Sequence, residues 1–425
     1  MADFKTIRSE RLKETVLFLH HPSGLDIYIA PKPGYSSQYA IFGTRYGSID
    51  NRFAVNGETV AVPEGIAHYL EHKLFESEDG DAFSRYAETG ASANAYTSFD
   101  RTCYLFSSTS RFKDSLEILL DFVQKPYFTA QTVQKEQGII GQEIRMYDDS
   151  PDWRVLFNLL GALYHKHPVK IDVAGTVESI SHITAELLYR CYNAFYNLNN
   201  MVLCVAGDVN SDDVLDVADR LLSPAAPTGA QGLFEPEPET IVRPRVTQAL
   251  AVASPVFAFG FKDTPAEGRA YAEHEALTSI LLEMLCGDAS PLYRRLYDEG
   301  LINQNFSSQF FSGRSFAATI VSGESRDPDA VQAAFLAEAA RLAREGLDVH
   351  EFETAKRAIY GRLAAGYDSV ETIANALASC RFLDIGPFDL IDAVAQADIG
   401  RAQERLSTHF APERCALSVI TPAEH

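Results

Sequence analysis

The fold of this chain is decided by the stretch Gly65-Ile-Ala-His68-Tyr-Leu-Glu71-His72-Lys-Leu-Phe75. It has the pattern of a helix, started by Pro63, on which positions i and i+4 lie one above the other. His68 and His72 can therefore reach one metal ion, and Glu71 at i+3 lies beside them. The alternative is two surface histidines and a glutamate on an amphipathic helix, so the rest of the sequence has to decide.

The chemistry of these residue types favours zinc. A catalytic zinc site uses three nitrogen or carboxylate ligands and keeps a fourth position for water. His68 and His72 would supply two ligands, so a third has to come from elsewhere in the chain. Bound zinc lowers the pKa of its water to about 7 and polarises a carbonyl. Glu71 is placed to take the proton, as a general base does.

The stretch resembles the active-site helix of the insulinase/pitrilysin family, whose inverted zinc motif is His-x-x-Glu-His. The resemblance implies that the third ligand is Glu143, in Glu136-Gln-Gly-Ile-Ile-Gly-Gln-Glu143, and that Glu136 supports the ligands from behind. A spacing of seven is two helical turns, so the two glutamates share a helix face. The gap from His72 to Glu143 is short for the family. A solvated helix face is the alternative for both glutamates.

A further family block is matched by Gly90-Ala-Ser-Ala-Asn94-Ala95-Tyr-Thr-Ser-Phe-Asp100-Arg-Thr-Cys-Tyr-Leu-Phe106, which has the pattern of a hairpin. The resemblance implies that its first strand is a sheet edge along which an extended peptide adds as an extra strand. Asn94 and Ala95 would then line the scissile bond and bind substrate. An ordinary hairpin is the alternative.

The composition agrees with a large soluble enzyme. The chain has 425 residues, enough for two or three domains, and 46% are hydrophobic without a run long enough to span a bilayer. Its start lacks the apolar segment of a signal peptide. The six cysteines show no paired spacing, which favours a reducing compartment. We therefore expect a cytoplasmic protein with no membrane partner.

The net charge of −21 argues against a nucleic-acid partner, because phosphate binding needs clustered lysines and arginines. Such a charge would draw in basic peptides by long-range steering. Solubility alone is the simpler explanation of most of these charges.

Two halves of similar order predict an α+β fold. Residues 1–223 form a zinc-bearing N-terminal peptidase domain, residues 224–245 a linker rich in Pro and Gly, and residues 246–425 a C-terminal domain of the same fold. His274 falls where a zinc helix would start in the second half, but Thr278 stands in place of a second histidine, so this half has no metal ligands. The resemblance implies two homologous α/β-sandwich domains, each an antiparallel-rich mixed sheet packed against helices. Together they form half of a clamshell chamber.

Hydrophobic periodicity predicts the elements of both halves. Strands are expected at 16–20, 25–30, 39–47, 200–209, 248–261, 305–322 and 415–420. Further helices are expected at 79–88, 111–124, 129–148, 152–164, 184–196, 271–285, 327–345, 348–366, 369–382 and 396–408.

The resemblance also implies that a second chain completes the chamber. In the family an arginine and a tyrosine from the second half of the chamber help to hold the substrate carbonyl, but here Tyr297 and Asn303 stand at those positions. We therefore expect a heterodimer with a homologous zinc-free subunit that carries the pair. A homodimer stays possible if Arg294, Arg295 or Arg314 serves instead.

The resulting hypothesis is a zinc-dependent endopeptidase that cleaves short unfolded peptides in a closed chamber, with zinc-bound water as nucleophile and Glu71 as general base. The alternatives are a non-catalytic scaffold, such as the core proteins of mitochondrial complex III with this fold, and a subunit that captures strands without cleaving them. The complete set of His68, Glu71, His72, Glu136 and Glu143 favours the enzyme.

Overall fold

The structure is a computed structural model that describes residues 4–78 and 80–423. The chain divides into two compact units. The first unit contains the residues up to Ile144, Ile171–Leu233 and Ala365–Pro387; the second contains Arg145–Lys170, Phe234–Ala364 and the residues from Phe388 onward. Residues 145–170, from the first half of the sequence, thus belong to the second unit. Residues 365–387, from the second half, belong to the first unit. The domain boundaries at residues 223 and 246 stay a prediction.

Strands and helices are interspersed along the whole of the described chain. The strands are β1 Lys5–Ser9, β2 Glu14–His20, β3 Asp26–Pro31, β4 Gln38–Thr44, β5 Arg52–Val55, β6 Glu58–Ala61, β7 Glu76–Ser77, β8 Gly80–Asp81, β9 Ser92–Thr97, β10 Thr102–Ser108, β11 Met201–Gly207, β12 Gln231–Gly232, β13 Arg245–Leu250, β14 Val256–Asp263, β15 Ser307–Ser312, β16 Ala317–Glu324 and β17 Cys415–Pro422. The helices are α1 Ile66–Leu74, α2 Ala82–Thr89, α3 Phe112–Val123, α4 Ala130–Asp148, α5 Pro151–Leu163, α6 Val177–Ser181, α7 Ala185–Phe195, α8 Ser211–Leu221, α9 Gly268–Cys286, α10 Pro291–Asp298, α11 Pro328–Glu345, α12 Val349–Gly366, α13 Val370–Phe382, α14 Asp389–Gln396 and α15 Ile399–His409.

The first unit is built on a mixed sheet. Within the described residues its strands have the order β1-β2-β3-β11-β4-β10-β9, and the pairs are antiparallel except for β3 with β11. The central strand β11 is buried along its whole length, as expected for a strand covered on both faces. Helix α13 packs on β3, β4 and β11, and helices α1 and α3 pack on β10. Strand β9 is an edge, because β10 is its one neighbour in this sheet.

The second unit repeats this plan. Its strands have the order β13-β17-β14-β16-β15 in the described chain, and only the pair β13 with β17 is parallel. Helix α5 packs on β13, β14 and β17. The core beneath helices α9 and α11 is aromatic, with Phe257, Phe259, Phe261, Phe335 and Phe410 in one buried cluster. The prediction of an α+β protein with two mixed, largely antiparallel sheets packed against helices is confirmed.

Most predicted elements are present within a few residues of their expected ends. The single strand predicted over 248–261 is wrong, because β13 and β14 are separate strands that pair with opposite sides of β17. Pro255 lies between them, and proline has no N–H with which to continue a strand ladder. The helix predicted over 79–88 begins at Ala82, capped by the Asp81 side chain, and residue 79 lies outside the described residues. Helices α6, α8, α10 and α14 were not predicted.

Part of the predicted linker is pinned to the second unit. The Glu237 carboxylate accepts hydrogen bonds from the main-chain N–H groups of His165, Lys166 and His167 at 2.7 to 2.8 Å. It also binds the ammonium group of Lys262 at 2.5 Å, and that lysine is buried. Residues 234–240 are therefore an ordered strap in this unit.

Two further sequence expectations concern the chain as a whole. None of the six cysteines forms a disulfide, and Cys380 alone among them is partly exposed. Among the described residues, no helix combines the length and the apolar character needed to cross a membrane.

Candidate metal centre

Helix α1 carries the His-x-x-Glu-His motif and spans only Ile66–Leu74. Gly65 precedes it with φ of 85°, a left-handed conformation that suits glycine. A Cβ atom at this position would lie 2.3 Å from the carbonyl oxygen of Ala174. This close backbone approach fixes where the helix begins, and with it the first turn that holds His68.

Helix α4 brings two carboxylates to the motif. The Tyr69 hydroxyl donates a hydrogen bond to the main-chain carbonyl of Val133, which ties α1 to α4. Glu136 and Glu143 lie on the same stripe of α4 as the buried residues Val133 and Ile140, because steps of three and four residues return to one helix face. Both glutamates therefore lie next to α1, with side chains only 13% and 23% exposed.

The three predicted ligands converge on one point. Nε2 of His68 lies 3.7 Å from Oε1 of Glu143, and Nε2 of His72 lies 3.4 Å from Oε2. The ligand atoms of these three residues lie within 4.8 Å of one another, and no other such group occurs in the described part of the chain. Zinc in a tetrahedron, with bonds of 2.0–2.1 Å, separates its ligand atoms by about 3.3 Å. Two imidazoles and one carboxylate at these distances fit a zinc ion.

The two histidines differ in charge. Burial, together with the neighbouring His72, lowers the pKa of His68 to about 4, so its imidazole is neutral, as a metal ligand must be. Burial would also lower the pKa of His72, but hydrogen bonds to Glu136 and Glu143 outweigh it and raise this pKa to about 10. The same bond to His72 lowers the pKa of Glu136. The metal-free site thus keeps a positive charge among its carboxylates, and a bound cation would replace that charge.

Glu71 lies next to this group and is held by a different element. Its side chain is buried, and Oγ1 of Thr97 in β9 donates a hydrogen bond of 2.7 Å to its Oε2. Burial raises the pKa of Glu71, while the bond from Thr97 opposes that rise. Thr97 is absent from the predicted site. The sequence feature that could have indicated Thr97 is the alternation of side chains along β9, which places Thr97 on the same face as Ala95, two residues earlier.

A cavity of about 550 Å³ opens beside the motif. Its lining includes Glu71, His72, Asn94, Ala95 and Glu136. Asn94 and Ala95 belong to the edge strand β9, whose free side offers main-chain groups to an added strand. The structure thus brings the predicted substrate-binding residues into one cavity with the predicted base and a ligand.

The one metal-ligand group among the described residues contains none of the candidate residues of the second unit. Thr278 donates its hydroxyl to the His274 carbonyl and accepts from Nε of Arg405 at 2.6 Å, so it serves as a helix contact. Tyr297 is 45% exposed on α10. The Asn303 side-chain amide donates to Glu324 at 3.0 Å.

Two family models and several known proteins match this chain. Residues 60–177 match the family described as Insulinase (Peptidase family M16), and residues 182–359 match that described as Peptidase M16 inactive domain. The "Uncharacterized zinc protease YmfH" of Bacillus subtilis (strain 168) is 41% identical over 425 residues, which cover 98% of this chain and 99% of that protein.

Solved structures are similar over the whole chain. A candidate M16-like peptidase from Alicyclobacillus acidocaldarius has a TM-score of 0.92 at 35% identity, with 99% of each chain covered. Pitrilysin has a TM-score of 0.77 at 15% identity, over 100% of this chain and 47% of its own length, which shows the fold alone.

The fold and the converging His, His and Glu side chains define the class, a two-unit α+β protein with a candidate metal centre. The family follows from the relatives: this chain belongs to the insulinase family, peptidase family M16.

Proposed function

We propose that this protein is a zinc-dependent endopeptidase. The observation that carries the proposal is the convergence of His68, His72 and Glu143 within 4.8 Å, beside a buried Glu71. His68, His72 and Glu143 would hold the ion, and Glu136 would orient His72 through its Nδ1. The names of the relatives, which include several zinc proteases, support the same cofactor.

The chain's own residues supply the acid and base chemistry. Zinc, when bound, would lower the pKa of a water molecule and polarise the scissile carbonyl. Glu71 takes the proton from the attacking water and passes it to the leaving nitrogen, so that the C–N bond breaks and a carboxylate and an amine are released. Burial raises the pKa of Glu71, which suits a group that must accept a proton and then donate it.

The edge strand β9 would hold the substrate. A peptide that adds beside Asn94 and Ala95 forms main-chain hydrogen bonds with any sequence, provided it is extended. Short unfolded peptides meet that condition, whereas a folded protein would first have to unfold a segment into an extended conformation. The proposed substrates are therefore short unfolded peptides.

A homologous zinc-free subunit is the proposed partner. This chain matches 47% of the pitrilysin chain, so a second chain of similar length would make up a protein of that size. Tyr297 and Asn303 stand where the family has its arginine and tyrosine. Tyr297 is exposed, and Asn303 is bound to Glu324. We therefore expect the second subunit to supply the arginine and tyrosine pair. A cytoplasmic location remains a prediction, which rests on the unpaired spacing of the cysteines in the sequence.

The test is cleavage of a mixed library of short peptides by the purified, zinc-loaded protein, alone and with a homologous zinc-free subunit. The key variant is Glu71→Gln, which keeps the shape of the side chain and removes its basicity. Glu88→Gln is the matched control, because Glu88 is exposed on α2. We expect cleavage by the wild type and the control, and a loss of at least about 100-fold in Glu71→Gln.

The outcomes separate the competing functions. Cleavage only in the mixture with the second subunit would establish the heterodimer, and equal cleavage by the chain alone would overturn that part of the proposal. Zinc binding without turnover in any combination would overturn the peptidase and favour a scaffold or a strand-capturing subunit.

A further inference from the structure

We propose that Thr97 is a positioning residue for the proposed general base, holding the Glu71 carboxylate at the end of the substrate-binding strand. This inference rests on the proposed function and adds a residue that the zinc motif does not contain. Its basis is the hydrogen bond of 2.7 Å from Thr97 Oγ1 to Glu71 Oε2. Thr97 is the last residue of β9, whereas Glu71 lies on α1.

Thr97 is itself held in place by the neighbouring strand. It is paired with Thr102 across β9 and β10, and the two hydroxyl oxygens lie 3.4 Å apart. Thr102 is fully buried and donates its hydroxyl proton to the main-chain carbonyl of Tyr46 at 2.9 Å. Each hydroxyl has a single proton. An ionised carboxylate has no proton to donate, so in the 2.7 Å contact the Thr97 hydroxyl donates to Glu71.

The bond limits how the Glu71 side chain can move. A glutamate has several rotatable bonds, and α1 holds only its main chain. A carboxylate that accepts a hydrogen bond on Oε2 has one oxygen fixed and the other available for a proton. The Thr97 main chain also interacts with this carboxylate, and side-chain substitution leaves that contribution in place. Loss of the hydroxyl should therefore loosen Glu71 without releasing it.

The position of Thr97 links the base to the substrate. Ala95 and Thr97 lie on the same face of β9, two residues apart. A peptide added beside Ala95 would therefore be held by the strand that also holds the base. General-base catalysis needs the base oxygen within about 2.6–3.2 Å of the oxygen whose proton it takes, so a common support sets that distance. Thr97 acts on the rate through Glu71 and does not touch the peptide.

The experiment compares Thr97→Val, Thr97→Ser and Thr59→Val in the zinc-loaded protein, with the second subunit if turnover needs it. Valine has the shape of threonine without the hydroxyl, and serine restores the hydroxyl. Thr59 is an exposed strand residue on β6 and serves as the matched control. We expect kcat to fall about ten-fold in Thr97→Val, with KM, zinc content and melting temperature unchanged. Thr97→Ser and Thr59→Val should keep kcat within about two-fold.

Two results test whether Thr97 acts through Glu71. Adding Thr97→Val to Glu71→Gln should cause no further loss, because the base that it positions is already gone. A crystal structure of metal-free Thr97→Val needs no turnover, and should show Glu71 in more than one orientation with β9 unmoved.

Any of four results would overturn the inference, provided that Glu71→Gln is inactive. In Thr97→Val these are an unchanged kcat, a rise in KM alone, or a single unmoved Glu71 carboxylate in the crystal structure. The fourth is a failure of Thr97→Ser to restore the rate. Full activity of Glu71→Gln would instead overturn the proposed function, and the inference with it.

Discussion

Glu136 and His72 are joined by a contact of 3.1 Å between Oε1 of the glutamate and Nδ1 of the imidazole. The other ring nitrogen, Nε2, lies on the side of Glu143. A metal-bound histidine commonly donates its remaining N–H to a carboxylate, which fixes the ring and makes the ligand more basic. Glu136 is therefore placed to turn His72 toward an ion that, under the proposed function, Glu143 would also bind.

Glu136→Gln should weaken zinc binding by about 10-fold or more, because the neutral amide loses the charge that supports His72. Glu143→Gln should weaken it further, since a ligand itself is lost. Zinc affinity is measured by competition with a chelating dye, with Glu88→Gln as the control. Equal affinity for wild type and Glu136→Gln would show that Glu136 has no role in metal binding.

Gly65→Ala should destabilise the protein far more than Gly57→Ala. Both glycines have positive φ, 85° and 80°, so a side chain costs about 1 kcal/mol in each case. Only at Gly65 would the Cβ also meet the Ala174 carbonyl, whereas nothing lies within 4 Å at Gly57. We expect an additional loss of about 2 kcal/mol, measured by urea unfolding of the metal-free protein. Equal losses would mean that the contact relaxes without cost.

Glu237 should stabilise the protein in a way that fades in acid. Burial alone would raise the pKa of its carboxyl, but the Lys262 ammonium and three main-chain N–H groups lower it to about 2. Because this pKa lies below the ordinary value of 4.5, the stabilisation is complete above about pH 4.5 and is lost as the pH falls toward 2.

Glu237→Gln should therefore lower the melting temperature at pH 7. The difference from wild type should shrink below about pH 4.5, where the Glu237 carboxyl of the unfolded chain begins to take up a proton while that of the folded protein stays ionised until about pH 2. Glu235→Gln is a suitable control, as a neighbouring glutamate in the same strap. A difference that stays constant from pH 7 to pH 3 would contradict the role assigned to the carboxylate charge.

Helix α13 should be required for the first unit to fold. Its side chains Ile373, Ala374, Leu377, Ala378 and Phe382 are buried, and the helix packs on β3, β4 and β11. A chain truncated after Leu233 lacks this helix and would expose the apolar surface of the central strands. Each large apolar side chain left uncovered costs about 1.5–3 kcal/mol. We expect no cooperative melt by circular dichroism, and a well-defined melt of the truncated chain would contradict this expectation.

The local parts of the site could be predicted from the sequence. His68, Glu71 and His72 follow helical spacing, and Glu136 and Glu143 follow a repeat of two turns, so each set has its geometry fixed by hydrogen bonds within one helix. The prediction that Glu143 is the third ligand came from resemblance, because its distance from the motif along the chain carries no geometric information. The role of Thr97 could not be predicted either, because Thr97 lies on β9 and its partner Glu71 on α1, and sequence spacing does not show contacts between different elements.

The sequence by itself determined the helix that carries the motif, the carboxylate pair on α4, the hairpin and the α+β pattern of both halves, because all of these follow from short-range periodicity and hydrogen bonding. Only the tertiary structure decided that α1 meets α4 through Tyr69 and Val133, that Thr97 holds Glu71, and that α5 and α13 pack on sheets formed mainly by the other half of the sequence. These contacts depend on burial of apolar faces between elements far apart in the chain, and an apolar face shows in the sequence without showing which surface will cover it.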